Sequence, residues 1–117
     1  MDQTNKIIYV EFPSSDLEKT KKFFETVFGW TFTDYGPDYT AFVDGRMDGG
    51  FFRSDQRSLR SAGSALVVIF HPRLEETLRR VVEHGGKITQ EIFSYPGGRR
   101  FHFTEPSGNE LSVCSDP

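Results

Sequence analysis

The chain has 117 residues, 36% hydrophobic, 26% charged and 15% aromatic, which is the apolar content of one ordinary globular domain and leaves no room for a second. Fourteen Lys and Arg against seventeen Asp and Glu give a net charge of -3, so the broad basic surface that nucleic-acid binding requires is not expected. No stretch approaches the roughly 18 apolar residues of a spanning helix, and the start MDQTNK lacks the basic-then-apolar layout of a signal peptide. The expectation is a cytoplasmic protein with neither a membrane nor a nucleic-acid partner. One cysteine, Cys114, excludes an internal disulfide and a Cys-rich zinc site, so stability has to come from packing. Twelve Phe residues are the obvious core material.

Along the chain, residues 6–12 alternate as a strand, with Ile8, Val10 and Phe12 on one face and Ile7, Tyr9 and Glu11 on the other. Ser15-Asp16-Leu17-Glu18 has the Ser-x-x-Glu spacing of a capping box, with Ser15 as the cap. Leu17, Phe24, Val27 and Phe28 then recur at helical spacing up to Gly29, so a helix is predicted over about 16–28. Residues 30–35 and 39–43 read as strands separated by Gly36-Pro37-Asp38. Asp44-Gly45 and Asp48-Gly49-Gly50 read as turn chemistry leading into a strand at 51–53. The order is βαβββ.

Residues 55–63 are polar and read as a linker. The pattern then restarts with an apolar strand at 65–70 and a helix over about 73–84, ended by Gly85-Gly86. Strands at 87–93, 100–104 and 110–114 complete a second βαβββ unit. Gly29 and Gly85 differ by 56 positions, while Phe42 and Phe103 differ by 61. A unit of this length does not bury a sheet face alone, so the predicted class is α+β: a single domain over 1–117 of two βαβββ modules, about 6–54 and 64–114, in pseudo-twofold arrangement. Each four-stranded sheet is expected to be backed by one helix, with the concave faces pointing toward a shared cavity.

Three motifs carry a family resemblance. Phe23-Phe24-Glu25-Thr26-Val27-Phe28-Gly29-Trp30 after Asp16-Leu17-Glu18, the loop Tyr95-Pro96-Gly97-Gly98-Arg99-Arg100-Phe101, and the turn Glu105-Pro106-Ser107-Gly108-Asn109 occur in order on a duplicated frame. Together they resemble the vicinal oxygen chelate superfamily of glyoxalase I, bleomycin-resistance proteins and extradiol dioxygenases. The resemblance implies a metal ligand on the first strand seven residues before Asp16, which is Tyr9, and another three residues after Asn109, which is Ser112. By the repeat offsets, Tyr9 maps to Ala65 or Leu66, and Ser112 maps to Phe51. Neither a protonated phenol nor a hydroxyl is a usual divalent-metal ligand, and the other side chains have no donor, so neither the four-ligand metal site nor a cofactor is expected.

Strand parity places other polar groups near the same hollow: Glu11 with Tyr9, Glu110 and Cys114 with Ser112, Arg100 and His102 opposite Phe101 and Phe103, and Arg53 with Phe51. The predicted ligand-binding set is Tyr9, Phe51, Arg53, Arg100 and Ser112. Glu11 and His102 form a candidate acid/base pair. Phe52, Tyr39 and Tyr95 are further candidates for an aromatic lining. Two functions stay open: a metal-independent protein that holds a small, partly apolar molecule, or an enzyme of lyase, isomerase or dioxygenase type using unfamiliar ligands or His102 and Glu11. His84 at a helix end, His71 at a helix entry and Cys114 without a paired base have structural explanations. Family members of two modules resemble homodimers, and that is the expected assembly.

Overall fold

The structure is a computed structural model that describes residues 2–117. Its elements follow the duplicated order: β1 (Tyr9–Ser14), α1 (Leu17–Phe28), β2 (Thr31–Asp34), β3 (Tyr39–Val43) and β4 (Asp48–Arg53), then β5 (Val67–Phe70), α2 (Leu74–Glu83), β6 (Lys87–Tyr95), β7 (Gly98–Thr104) and β8 (Glu110–Ser115). A short 3-10 turn, Arg60–Ala62, lies in the linker. Two mixed four-stranded sheets result, ordered β1-β4-β3-β2 and β5-β8-β7-β6. In each, the first and last strands of the module pair in parallel and the other pairs are antiparallel.

Helix α1 starts one residue later than the capping-box reading. Asp16, not Ser15, is its cap and accepts the Lys19 amide at 3.1 Å, while the Ser14 hydroxyl accepts the Asp16 amide. At the other end Gly29 takes the left-handed conformation, and its N–H reaches back to Glu25 and Phe24. The buried side chains of α1 are Leu17, Thr20, Phe23, Phe24 and Val27, the stripe that the helical spacing marks. Helix α2 buries Leu74, Thr77 and Val81.

The strand bounds shift where pairing overrides local pattern. β1 begins at Tyr9 because its ladder with β4 runs from Tyr9 opposite Asp48 to Ser14 opposite Arg53, and Ile7 and Ile8 lie exposed before it. Pro13 is tolerated because β1 is an edge strand. Gly49 and Gly50, read from sequence as a turn, lie inside β4. A Cβ on Gly49 would stand 2.3 Å from the Phe42 ring and 2.5 Å from the Val10 carbonyl oxygen; one on Gly50 would stand 2.0 Å from the Tyr39 hydroxyl. Both glycines let an aromatic ring from β3 lie flat across the sheet.

One core serves both modules. The helix-facing side of the first sheet contributes Phe12, Phe42 and Phe51, and that of the second contributes Phe101, Phe103, Leu111 and Val113, all buried. Phe23 and Phe28 of α1 reach across the module boundary, with their ring centroids 5.9 and 6.1 Å from Phe103. Polar contacts reinforce this junction. Glu105 is almost fully buried; one carboxylate oxygen accepts the Ser107 amide and hydroxyl, and the other accepts the Thr20 hydroxyl of α1 at 3.2 Å. Burial pushes its carboxyl pKa up, against the hydrogen bonds that favour the charged form. Asn109 donates to the Pro13 carbonyl at 2.6 Å and accepts the Ser58 amide at 2.9 Å, tying the second module's last turn to β1 and to the linker.

The sheet faces away from the helices remain open. Tyr9, Val43 and Phe52 on the first and Val68 and Phe70 on the second are exposed. Among the described residues no hydrogen bond, ion pair or aromatic contact joins Tyr9, Glu11, Tyr39 or Phe52 to Arg100, His102 or Ser112. The expected shared cavity between concave faces is therefore not closed within one chain: the buried sides face each other through the helices.

Candidate functional site

Antiparallel pairing puts directly opposed residues on the same face of a sheet, so register alone assembles the open face of the second sheet. Phe93, Arg100, Cys114 and Phe70 lie in one row across β6, β7, β8 and β5; Gln90, His102, Ser112 and Val68 lie in the next. Register shifts in β6 between Ile88 and Gln90 and between Gln90 and Phe93 bring Gln90 to this face and then cancel, so Phe93 keeps the parity of Lys87, which lies opposite Thr104. The hairpin that follows closes through Pro96-Gly97, with Gly97 at φ 114° and Tyr95 opposite Gly98.

The Arg100 guanidinium lies over two aromatic rings, 5.4 Å from the Phe93 centroid and 5.1 Å from that of Tyr95. His102 stands edge-on to Phe93 at 5.7 Å. Its Nδ1 faces the Glu110 carboxylate at 3.9 Å, and that carboxylate is itself held by the Arg60 amide at 2.9 Å and the Thr89 hydroxyl at 3.3 Å. Burial, reinforced by the Arg100 charge, lowers the His102 pKa below its ordinary value, so the imidazole is neutral near pH 7. With the carboxylate on the Nδ1 side, the favoured tautomer carries its proton on Nδ1 and leaves Nε2 as an acceptor.

Three buried side-chain polar atoms have no hydrogen-bond partner among the described residues: Arg100 Nε, His102 Nε2 and Ser112 Oγ. All three lie in these two adjacent rows. Leaving a buried polar group unpaired costs about 1–3 kcal/mol, so such a cluster marks a place where partners are missing. A groove of about 570 Å³ adjoins it, walled by Arg60, Thr89, Gln90, His102, Thr104 and Glu110.

The open face of the first sheet holds a second polar group. The Tyr9 and Tyr39 hydroxyls are 2.5 Å apart, and Tyr39 donates to Glu11 at 2.8 Å. Because the single Tyr39 proton goes to Glu11, Tyr9 has to donate to Tyr39, and the Tyr9 oxygen is left with lone pairs only. Burial, with Tyr9 and Glu11 adding to it, pushes the Tyr39 phenol well above its ordinary pKa. Gly50 is the floor on which the Tyr39 hydroxyl rests.

Of the residues singled out in the sequence, Tyr9 and Glu11 share one open face, and Arg100, His102 and Ser112 share the other. The structure does not bring Glu11 to His102; the carboxylate facing that histidine is Glu110. Phe51 is corrected: it is fully buried on the helix side, stacked on Phe12 at 5.3 Å and near Phe24 at 5.6 Å. Arg53 is corrected as well, since its guanidinium binds Asp38 at 2.9 Å and the Pro37 carbonyl at 2.8 Å and fastens the β2–β3 turn. Phe93 and the Glu110–His102 contact were missed, although plain alternation from Lys87 puts Phe93 on this face.

A family model for the glyoxalase/bleomycin resistance protein/dioxygenase superfamily matches residues 6–113. The chain belongs to this superfamily. It is 26% identical over 121 residues to a glyoxylase-like domain-containing protein of Didymella fabae, covering 92% of this chain and 91% of that one. In fold it is similar to a glyoxalase-related enzyme from Fulvimarina pelagi, with a TM-score of 0.79 at 16% identity over 97% of this chain and 89% of that one. It is similar too to the fosfomycin resistance protein FosX from Listeria monocytogenes, complexed with Mn(II) and 1S,2S-dihydroxypropylphosphonic acid: TM-score 0.79, 14% identity, 97% and 91% coverage.

Within the glyoxalase superfamily frame, the repeat can be aligned by ladder register. Glu11 lies opposite Gly50 and Val68 opposite Ser112, while Asp16 and Arg73 occupy equivalent helix caps. Ser112 thus corresponds to Gly50 rather than Phe51, and Tyr9 to Leu66. A phenol, a hydroxyl, a leucine and a glycine do not fit a divalent-metal donor set. Among the described residues no three His, Cys, Asp or Glu side chains converge in a metal-holding group.

Proposed function

We propose that this glyoxalase-superfamily chain binds a small, partly apolar molecule on the open face of its second sheet, without the four-ligand metal site of the superfamily's metal enzymes. The observation that carries this reading is the convergence of the three unpartnered buried atoms of Arg100, His102 and Ser112 beside the Phe93 and Tyr95 rings. A ligand's polar group would supply the missing partners, and its apolar part would cover Val68 and Phe70, which are 43% and 56% exposed. Tyr9 belongs to the same reading through the assembly. In a homodimer, the first sheet's open face, with Tyr9, Tyr39 and Phe52, would close over the second sheet's face of the partner chain and cover the ligand.

A second reading, enzymatic acid/base chemistry, is favoured by one observation: the Glu110 carboxylate on the Nδ1 side of His102 leaves Nε2 free to take a proton. Thermal-shift screening against a small-metabolite library, on protein stripped with chelator and then dialysed, tests the first. A hit present at 100 Kd raises stability by about 2.7 kcal/mol, a melting-point rise of several degrees. Hits whose shift is unchanged by added divalent metal are expected. A library without a single hit, or hits that appear only after metal is restored, would overturn the proposal.

A further inference from the structure

We infer that the ligand of this face carries one carboxylate on an apolar body, and that Arg100 is its anion anchor. The inference rests on the ligand-binding reading above and goes on to name the class of ligand. Arg53, Arg73 and Arg99 each pair with a carboxylate, and Arg80 donates to the Thr26 carbonyl; the side chains of Arg46, Arg57, Arg60 and Arg79 are unpaired among the described residues, but none of them has a buried unpartnered nitrogen. Arg100 makes no ion pair and no side-chain hydrogen bond among the described residues, and its Nε is buried without an acceptor. Its guanidinium lies over the Phe93 and Tyr95 rings. The nearby carboxylate, Glu110, is committed to the Arg60 amide and the Thr89 hydroxyl. A half-buried guanidinium whose Nε is shielded from water and which has no internal anion is a fork for a planar carboxylate.

The neighbouring row supports the same chemistry. Ser112 is 0% and His102 4% exposed, both with polar atoms unpartnered, so each offers a short, fixed contact beside the anion. Ser112 Oγ can donate to a carboxylate oxygen. His102 Nε2, carrying a lone pair, repels a second negative charge, which favours a monoanion over a dianionic phosphate. The apolar end follows from register. Phe70 lies in the Arg100 row two strands away, which at ordinary strand spacing is about 10 Å. A ligand with its carboxylate at Arg100 therefore lays its body over Cys114 toward Phe70 and Val68.

Isothermal titration of the full chain with phenylacetate and with phenylacetamide tests this, since the two differ in charge and hardly in shape. The acid is expected to bind at least about tenfold more tightly than the amide. In Arg100→Gln that preference is expected to vanish, while Arg100→Lys, which keeps the charge but loses the fork, falls between. If Arg100→Gln does not fold, the acid-to-amide ratio of the native protein and its fall with added salt still decide. The inference is overturned if the amide binds as well as the acid, if Arg100→Gln keeps the preference, or if neither probe binds at millimolar concentration. Metabolite hits that are uncharged would overturn it while leaving the ligand-binding reading in place; a library without hits would sink both.

Discussion

Asn109→Ala is expected to lower the unfolding free energy by about 3 kcal/mol, because one side chain closes three links at the module junction. Its amide nitrogen donates to the Pro13 carbonyl at 2.6 Å and to Glu105 at 3.4 Å, and its oxygen accepts the Ser58 amide at 2.9 Å. Removing it leaves a half-buried carbonyl, a half-buried N–H and the buried Glu105 carboxylate short of partners. Asn109→Asp should cost at least as much, since it loses the donors and sets a second carboxylate beside Glu105. Urea unfolding followed by circular dichroism reads both. A loss below about 1 kcal/mol would show that the turn is held by its backbone alone, through the Glu105 amide to the Asn109 carbonyl and the Gly108 amide to the Glu105 carbonyl.

Phe24→Ala carries the other large effect, about 4 kcal/mol, which is a substantial share of the 5–15 kcal/mol that holds an ordinary domain. Phe24 is fully buried, stacked on Trp30 at 4.4 Å and 10° between planes, and its ring also lies 5.6 Å from Phe51 and 5.1 Å from Phe23. Truncation would open a cavity walled by rigid rings that relax poorly. Trp30 is the chain's one tryptophan and lies against that cavity, so its emission should shift to the red in the folded variant as well as on unfolding. A variant within about 1 kcal/mol of the native chain, with unchanged emission, would contradict the shared-core account.

The helices were legible because their signals are local. Leu17, Phe24 and Val27 at helical spacing and Gly29 at the exit need no knowledge of the rest of the chain, and only the choice between Ser15 and Asp16 as cap moved by a residue. The open faces were legible in the same way where strands keep strict alternation, which is why Tyr9 and Glu11 fall together, as do Arg100, His102 and Ser112. The errors came from non-local contacts. Gly49-Gly50 has turn chemistry in isolation, but the rings of Phe42 and Tyr39 cross it. The repeat alignment slipped by one because the Phe42-to-Phe103 offset of 61 was carried past the next turn, which is residues 44–47 in the first module and 105–109 in the second. That slip put Phe51 in the place of Gly50. Arg53 was assigned by parity, whereas its partner Asp38 lies across a turn that sequence alone does not fold. Alternation from Lys87 does put Phe93 on the open face; it is Gln90, opposite His102, that arrives there through bulges in β6 that no alternation rule anticipates.

A ligand seated on the second sheet's open face is the central claim. Amide and imidazole chemical shifts recorded while a ligand from the metabolite screen is titrated into labelled protein test this most directly. The predicted result is a set of changes centred on Arg100, His102, Ser112 and the Phe93–Tyr95 segment, with the His102 Nε2 resonance among the most displaced. Changes centred instead on the groove between Lys22, Phe23 and His84, with the β7 and β8 resonances unmoved, would contradict it.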